Sequence, residues 1–234
     1  MSLEPDNLQA RLASARFFFF SRDLPSLQQE IAAIPLQYQE LPDVLYIKGL
    51  SARLAGDDNE ALTYFENTFD KIQTSETMGT VADQLWQMGR QRDSLALQNK
   101  WLSEHSDDSD SRLKMAQYYK QQGENALAMD QYALVLERDG TNIAALNSSA
   151  WIMRESDPGK GLTLIDRALA VDPLNPALLD TKGVLLLKSG QLEEAETHFN
   201  KALLAQPREP NILFHLAMLK VAENDMGKAE LILN

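Results

Sequence analysis

Cysteine is missing altogether from the 234 residues, which removes disulfides, thiolate nucleophiles and cysteine-ligated zinc in one step. Long apolar runs are missing too. No stretch approaches the roughly 20 residues needed to cross a bilayer, and the opening MSLEPDN lacks the charged and apolar regions of a signal peptide. Positive charge is short: 22 Lys and Arg stand against 34 Asp and Glu, a formal charge of −12 with a pI near 4.7. A chain this acidic repels phosphate backbones and anionic lipid, so neither nucleic acid nor a membrane surface is an expected partner. Beta-branched residues are sparse beside Leu and Ala, which favours helix over strand.

Catalytic signatures are also scarce. Gly159-Lys160-Gly161 is a turn fragment with no strand before it and not a phosphate loop. No H-E-x-x-H helix and no G-x-S-x-G elbow occurs. His105, His198 and His215 share no ligand spacing. The acidic run Ser103 to Ser111, SEHSDDSDS, lacks the mid-loop glycine and closing glutamate of a calcium loop, and reads as a solvated turn that caps the next helix. The expectation is a non-enzyme with no cofactor and no metal.

What is present is repetition. Pro176 to Glu209 reads as two short amphipathic helices joined by a turn at Ser189-Gly190. Asn175 can cap the first and Pro176 can take its first position, where a missing N–H costs nothing. Gly183 and Ala195 are small enough for two helix axes to approach closely at their crossing. With Pro176 as position 1, the same frame restarts at Leu8, Pro42, Ser75, Ser109, Ile143 and Pro210, a spacing of 33 or 34 residues.

Position 8 then reads Ala15, Gly49, Ala82, Ala116, Ala150, Gly183 and Ala217, small in every unit. Position 20 reads Leu27, Ala61, Ser94, Ala128, Gly161, Ala195 and Ala229, with one residue missing from the fifth turn. Position 24 reads Ile31, Phe65, Gln98, Tyr132, Ile165, Phe199 and Leu233. Gln98 breaks the apolar rule, and Trp101 is expected to fill its space. Lys48 and Lys182 stand where leucine is usual and are expected to lay their stems on the core with the charge outside.

This period and these residue types resemble the tetratricopeptide repeat. The resemblance implies an all-α fold, a right-handed superhelical array (α-solenoid) of about seven helix-turn-helix units, the last incomplete. No Gly/Ser-rich linker divides the chain, so a single array over 4–234 is expected, with Met1-Ser2-Leu3 as an added leader. Phe17 occupies a position where such repeats contact a preceding unit, and neither end carries the polar outer face of a capping repeat. The chain therefore reads as a segment of a longer array, able to self-associate through uncapped ends.

In the family the first helices line a concave groove that takes a peptide or partner protein. Carried over residue by residue, the groove holds Arg16, Phe19 and Phe20, then Tyr46, Ile47, Leu50 and Arg53, then Asp83, Trp86 and Gln87. It continues with Lys114, Gln117 and Lys120, then Asn147, Trp151 and Arg154, then Asp180, Thr181 and Val184, ending at Phe214, His215 and Met218. Aromatic anchors among adaptable polar groups suit an extended peptide or a helix; Tyr46 and Trp151 can equally serve as packing between first helices. The clamp by which some relatives hold a C-terminal carboxylate needs basic residues at position 5, which here reads Leu12, Tyr46, Gly79, Leu113, Asn147, Asp180 and Phe214. The asparagine ladder of a sugar-transferring relative is absent as well.

Residues 75–234 bear a finer resemblance, carried by Trp101, Ala145-Leu146-Asn147, Ala150-Trp151 and Leu179-Asp180-Thr181 with Gly183. They resemble the C-terminal half of the bacterial tetratricopeptide lipoproteins associated with exosortase (PEP-CTERM) protein sorting and exopolysaccharide clusters. Ser148 and Val184 stand where that family usually has asparagine and tryptophan. The resemblance implies a scaffold in the bacterial envelope whose lipid anchor lies outside this segment. The rival expectations are a cytoplasmic adaptor and the non-catalytic repeat region of an enzyme.

Overall fold

The computed structural model describes residues 7–233, so the leader expected at Met1-Ser2-Leu3 lies outside the described residues, as does Asn234. Among the described residues there are fourteen α-helices and no strand. In the unit formed by residues up to Ser111 these are α1 (Leu8–Phe20), α2 (Leu24–Ala32), α3 (Pro42–Ala55), α4 (Asp58–Lys71), α5 (Ser75–Gln87) and α6 (Gln91–Glu104), with a 3-10 turn at Leu36–Tyr38. α7 (Ser109–Gln121) begins there and continues into a second compact unit that starts at Arg112. That unit adds α8 (Asn125–Arg138), α9 (Ile143–Met153), α10 (Pro158–Val171), α11 (Pro176–Lys188), α12 (Leu192–Ala205), α13 (Pro210–Ala222) and α14 (Met226–Leu233).

Local chemistry sets the helix starts. Asp57 accepts from the Glu60 N–H at 3.0 Å, Asn142 from the Ala145 N–H at 3.0 Å, and Asn175 from the Ala177 N–H at 3.1 Å, each satisfying a donor the first turn leaves open. Thr74 and Thr77 form a reciprocal capping box. Between α11 and α12 the chain reverses through Gly190 at φ +75°, while the Gln191 N–H reaches back to the Leu186 carbonyl at 2.9 Å.

Helices pack in consecutive hairpins, and the small residues sit at the crossings. Ala15, Ala82, Ala116 and Ala150 are fully buried, Ala217 nearly so, and Gly49 and Gly183 are buried with them. Position 20 is likewise buried from Leu27 to Ala229. In the first unit the core runs through Leu12, Leu27, Val44, Ile47, Phe65, Val81 and Leu85. In the second it runs through Leu146, Ile165 and Leu185 and on through Leu186, Phe199, Ile212 and Leu219. Lys182 behaves as expected, its stem half-buried and its ammonium 2.7 Å from Asp166.

The space at Gln98 is not filled as the sequence suggests. Gln98 stays in the core at zero exposure, donating weakly to the Ser94 carbonyl at 3.4 Å while its Oε1 has no partner among the described residues. Trp101 turns instead towards Phe69, 6.1 Å between centroids, and stacks on His105 at 3.7 Å. A helical side chain three residues on shares the face but sits about a turn further along the axis, so Trp101 packs beyond the crossing and does not replace the residue at it. Because an orphaned buried carbonyl costs about 1–3 kcal/mol, Gln98→Leu should raise stability by about 1 kcal/mol in urea unfolding. A variant no more stable than the parent would count against this.

Candidate partner-binding surface

The expected groove residues divide by what covers them. In the first unit Phe20 is 81% exposed, and its ring meets Phe19 edge to face at 5.6 Å. Phe19 and Tyr46 are half-buried against the core, Tyr46 lying 5.8 Å from Phe65. Arg16 lies 3.8 Å from Asp43. Ile47 and Leu50 are corrected: Ile47 has no exposed surface and Leu50 only 6%, because the neighbouring first helix closes over them and makes them core.

Arg53 is also held inside. Its Nε donates to Gln84 Oε1 at 2.8 Å and its guanidinium lies over the Phe65 ring at 4.6 Å. Gln84 in turn donates to the Asp58 carboxylate at 3.0 Å, so α3, α4 and α5 are tied together. Burial pushes the Arg53 guanidinium below its usual pKa, against the pull of Asp83, Tyr46 and Asp58. Arg53 therefore works as a buried tie, with little to offer a partner. Trp86 and Asp83 are half-buried and Gln87 is exposed. On α7, Lys114 and Lys120 are half-buried and Gln117 is exposed.

The second unit gathers its candidates more tightly. The Arg154 guanidinium stacks over the Trp151 ring at 4.4 Å and donates from Nη1 to the Trp151 carbonyl at 2.8 Å. Glu155 lies 3.7 Å from Arg154 Nε and 2.9 Å from Lys188 on α11. His215 of α13 faces Asp180 of α11 with its Nδ1 2.9 and 3.0 Å from the two carboxylate oxygens. A carboxylate only accepts, so Nδ1 carries the proton. Both side chains are about 85% covered. The His215 ring also lies 5.9 Å from Trp151 and 6.2 Å from Phe199.

Here too three expectations are corrected. Asp180, Thr181 and Val184 are 9%, 4% and 6% exposed, because α13 lies over the α11 face that carries them. Asn147 is half-buried, with its Oδ1 closed off and without a partner among the described residues. Phe214 and Met218 remain open at 52% and 40%.

Three features went unread in the sequence. One is the His215–Asp180 pair, which joins position 6 of one repeat to position 5 of the repeat before it; the frame itself was signal enough to find it. A second is Lys220, 6% exposed yet paired with Glu196 and Glu223, whose hydrogen bonds outweigh burial and raise its pKa. The third is Asp108, which accepts from the Ser111 N–H at 2.9 Å, the Ser111 hydroxyl at 2.6 Å and the Trp101 indole N–H at 2.6 Å. The acidic run is largely exposed and caps the next helix as expected; what the sequence did not show is that Asp108, half-buried, also ties in the Trp101 indole.

Comparison with known proteins fits this architecture. The profile of the family Tetratricopeptide repeat matches residues 177–209. A tetratricopeptide repeat protein from Parabacteroides merdae superposes with a TM-score of 0.71 at 16% identity, over 96% of this chain and 90% of that one. PilW, a widely conserved type IV pilus biogenesis factor, gives 0.61 at 23% identity over 68% and 74%. The Cut9–Hcn1 hetero-tetramer of the APC/C gives 0.68 at 15% over 98% and 46%. In sequence, 96 residues are 31% identical to the probable UDP-N-acetylglucosamine–peptide N-acetylglucosaminyltransferase SPINDLY of Hordeum vulgare. This chain spans about a tenth of that relative's length.

Helical hairpins with small residues at each crossing, matched by these structures, define an all-α helical-repeat fold of the tetratricopeptide type. Residues 177–209 match the tetratricopeptide repeat itself. No helix among the described residues is long and apolar enough to cross a membrane.

Proposed function

We propose that the chain is a non-catalytic scaffold whose second unit docks a segment of a partner protein on the first-helix surface around Trp151 and Arg154. The observation that carries this reading is the Arg154–Trp151 stack, 4.4 Å apart, beside the Asp180–His215 pair. The stack presents an aromatic face together with guanidinium donors that intramolecular bonds leave partly unused. The pair holds α11 and α13 in fixed register, so the site is preorganised and binding orders little. A partner segment with an apolar side chain next to a carboxylate complements this patch, since the rest of the acidic chain offers few cations. The fold supports the class of function: tetratricopeptide-repeat proteins bind protein partners.

Peptides selected from a random library on the wild-type chain test this. Trp151→Ala with Arg154→Ala should weaken their binding by about thirtyfold, roughly 2 kcal/mol, while helicity by circular dichroism stays unchanged. Equal affinity in the double variant would sink the proposal.

The finer placement, an envelope protein tied to protein sorting or exopolysaccharide export, rests on the resemblance over residues 75–234 and on nothing structural. The encoding gene decides it: a signal sequence with a lipobox cysteine favours the envelope, its absence favours an adaptor, and an appended catalytic domain favours the repeat region of an enzyme. The partial match to SPINDLY is compatible with that last case.

A further inference from the structure

Two surfaces are exposed at positions that α11 buries. At position 10 of the first helix, Leu185 and Leu219 have zero exposure, Gln84 has zero, Tyr118 has 4% and Ser51 has 7%, while Ile152 is half-buried. In the second unit Leu185 plugs into the cluster of Leu146, Ala150, Ile165 and Ala168. The equivalent residue of α1 is Phe17, and it is 67% exposed. Phe17 is a plug with no socket among the described residues.

The opposite face is open on α13. On α11, Asp180 and Val184 are 9% and 6% exposed because α13 lies over them, with His215 bonded to Asp180. The corresponding residues of α13, Phe214 and Met218, are 52% and 40% exposed, and Val221 one turn on is 44% exposed. These three recur at i, i+4 and i+7, one continuous apolar stripe. α13 is a socket with no plug among the described residues.

We propose that this chain associates with further copies of itself, α1 of one copy docking on α13 of the next as α13 docks on α11 within a copy. A second copy is the occupant because the chain carries both halves of a contact that it already makes internally. The contact joins two different faces, so it is heterologous and, unlike a two-fold contact, is not saturated in a symmetric pair; assembly continues into a ring or an open chain. Each copy carries −12, so long-range repulsion opposes the contact, and added salt should strengthen it. The proposal does not rest on the peptide site, since Phe17 and Met218 can be changed with Trp151 and Arg154 intact.

Sedimentation of the chain over a rising concentration series tests it. The wild type should pass the mass of a dimer, more so in salt. Phe17→Asp alone should stay monomeric, and so should Met218→Asp with Val221→Asp. An equimolar mixture of those two should form a one-to-one dimer and stop, because only one intact plug and one intact socket remain. Phe17→Ser serves as the milder variant, weakening association at least about tenfold, and circular dichroism checks that every variant is folded. A wild type that stays monomeric, a variant that associates alone as the wild type does, or a mixture that stays inert would each overturn the proposal.

Discussion

Phe199→Ala should cost the second unit about 3–5 kcal/mol, the usual penalty for emptying a buried aromatic site. A unit of this size has roughly 5–15 kcal/mol in total, so the loss is a large fraction of it. Phe199 has zero exposure and lies in one cluster with Leu186, Ala195, Ala202 and Leu219. Its ring rests on Gly183 so closely that a Cβ there would stand 2.5 Å from the ring edge. Gly183→Ala gains about 1 kcal/mol of helix propensity, yet it forces a ring with no free volume to move. Overpacking of that kind costs about 1–3 kcal/mol, so the net effect is expected to be destabilising. The neighbouring hairpin has Ala150 and Ile165 at the same two positions, both fully buried. Gly183→Ala combined with Phe199→Leu should therefore be more stable than the sum of the single changes, by about 1 kcal/mol or more. Urea unfolding of the four proteins measures the coupling, and strict additivity would show that the glycine is not there for the ring.

The crossing was legible before the fold, because small residues at positions 8 and 20 recur every 33 or 34 residues; that the Phe199 ring rests on Gly183 was not. The helix pairs, their caps at Asn142 and Asn175 and their stop at Gly190 follow from local chemistry, which is why they could be read. The surface was harder. Ile47, Thr181 and Val184 were assigned to a groove by their position in one helix, but their exposure depends on how far the next first helix slides over them, a tertiary quantity. Trp151 illustrates the same limit: half-buried, it packs towards His215 and still offers a face to Arg154. Gln98 shows the reverse error, since a polar residue in an apolar column suggested a rearrangement and the structure keeps it in place, buried and half satisfied.

Acid should loosen the first unit through Asp108. Burial alone would raise its pKa, but the hydrogen bonds from Ser111, Ser75 and Trp101 outweigh burial and hold the carboxyl at about 2, below its usual 3.8. Its folded pKa is depressed, so its contribution is fully present above the unfolded value and fades as pH falls from about 4 through about 2. Asp108→Ala removes the N-cap of α7, worth about 0.5–2 kcal/mol. It also strips the Trp101 indole N–H of its acceptor, and a half-buried donor left alone adds about 1 kcal/mol. The expected total is about 1.5–3 kcal/mol. Asp108→Asn separates the two parts, since an asparagine can still cap Ser111 through its carbonyl while its amide meets the indole N–H donor to donor. Thermal melts across that pH range should show a midpoint that drops with acid in the wild type and drops less in either variant. If Asp108→Asn keeps the full acid sensitivity of the parent, the hub is not the site that protonation disrupts.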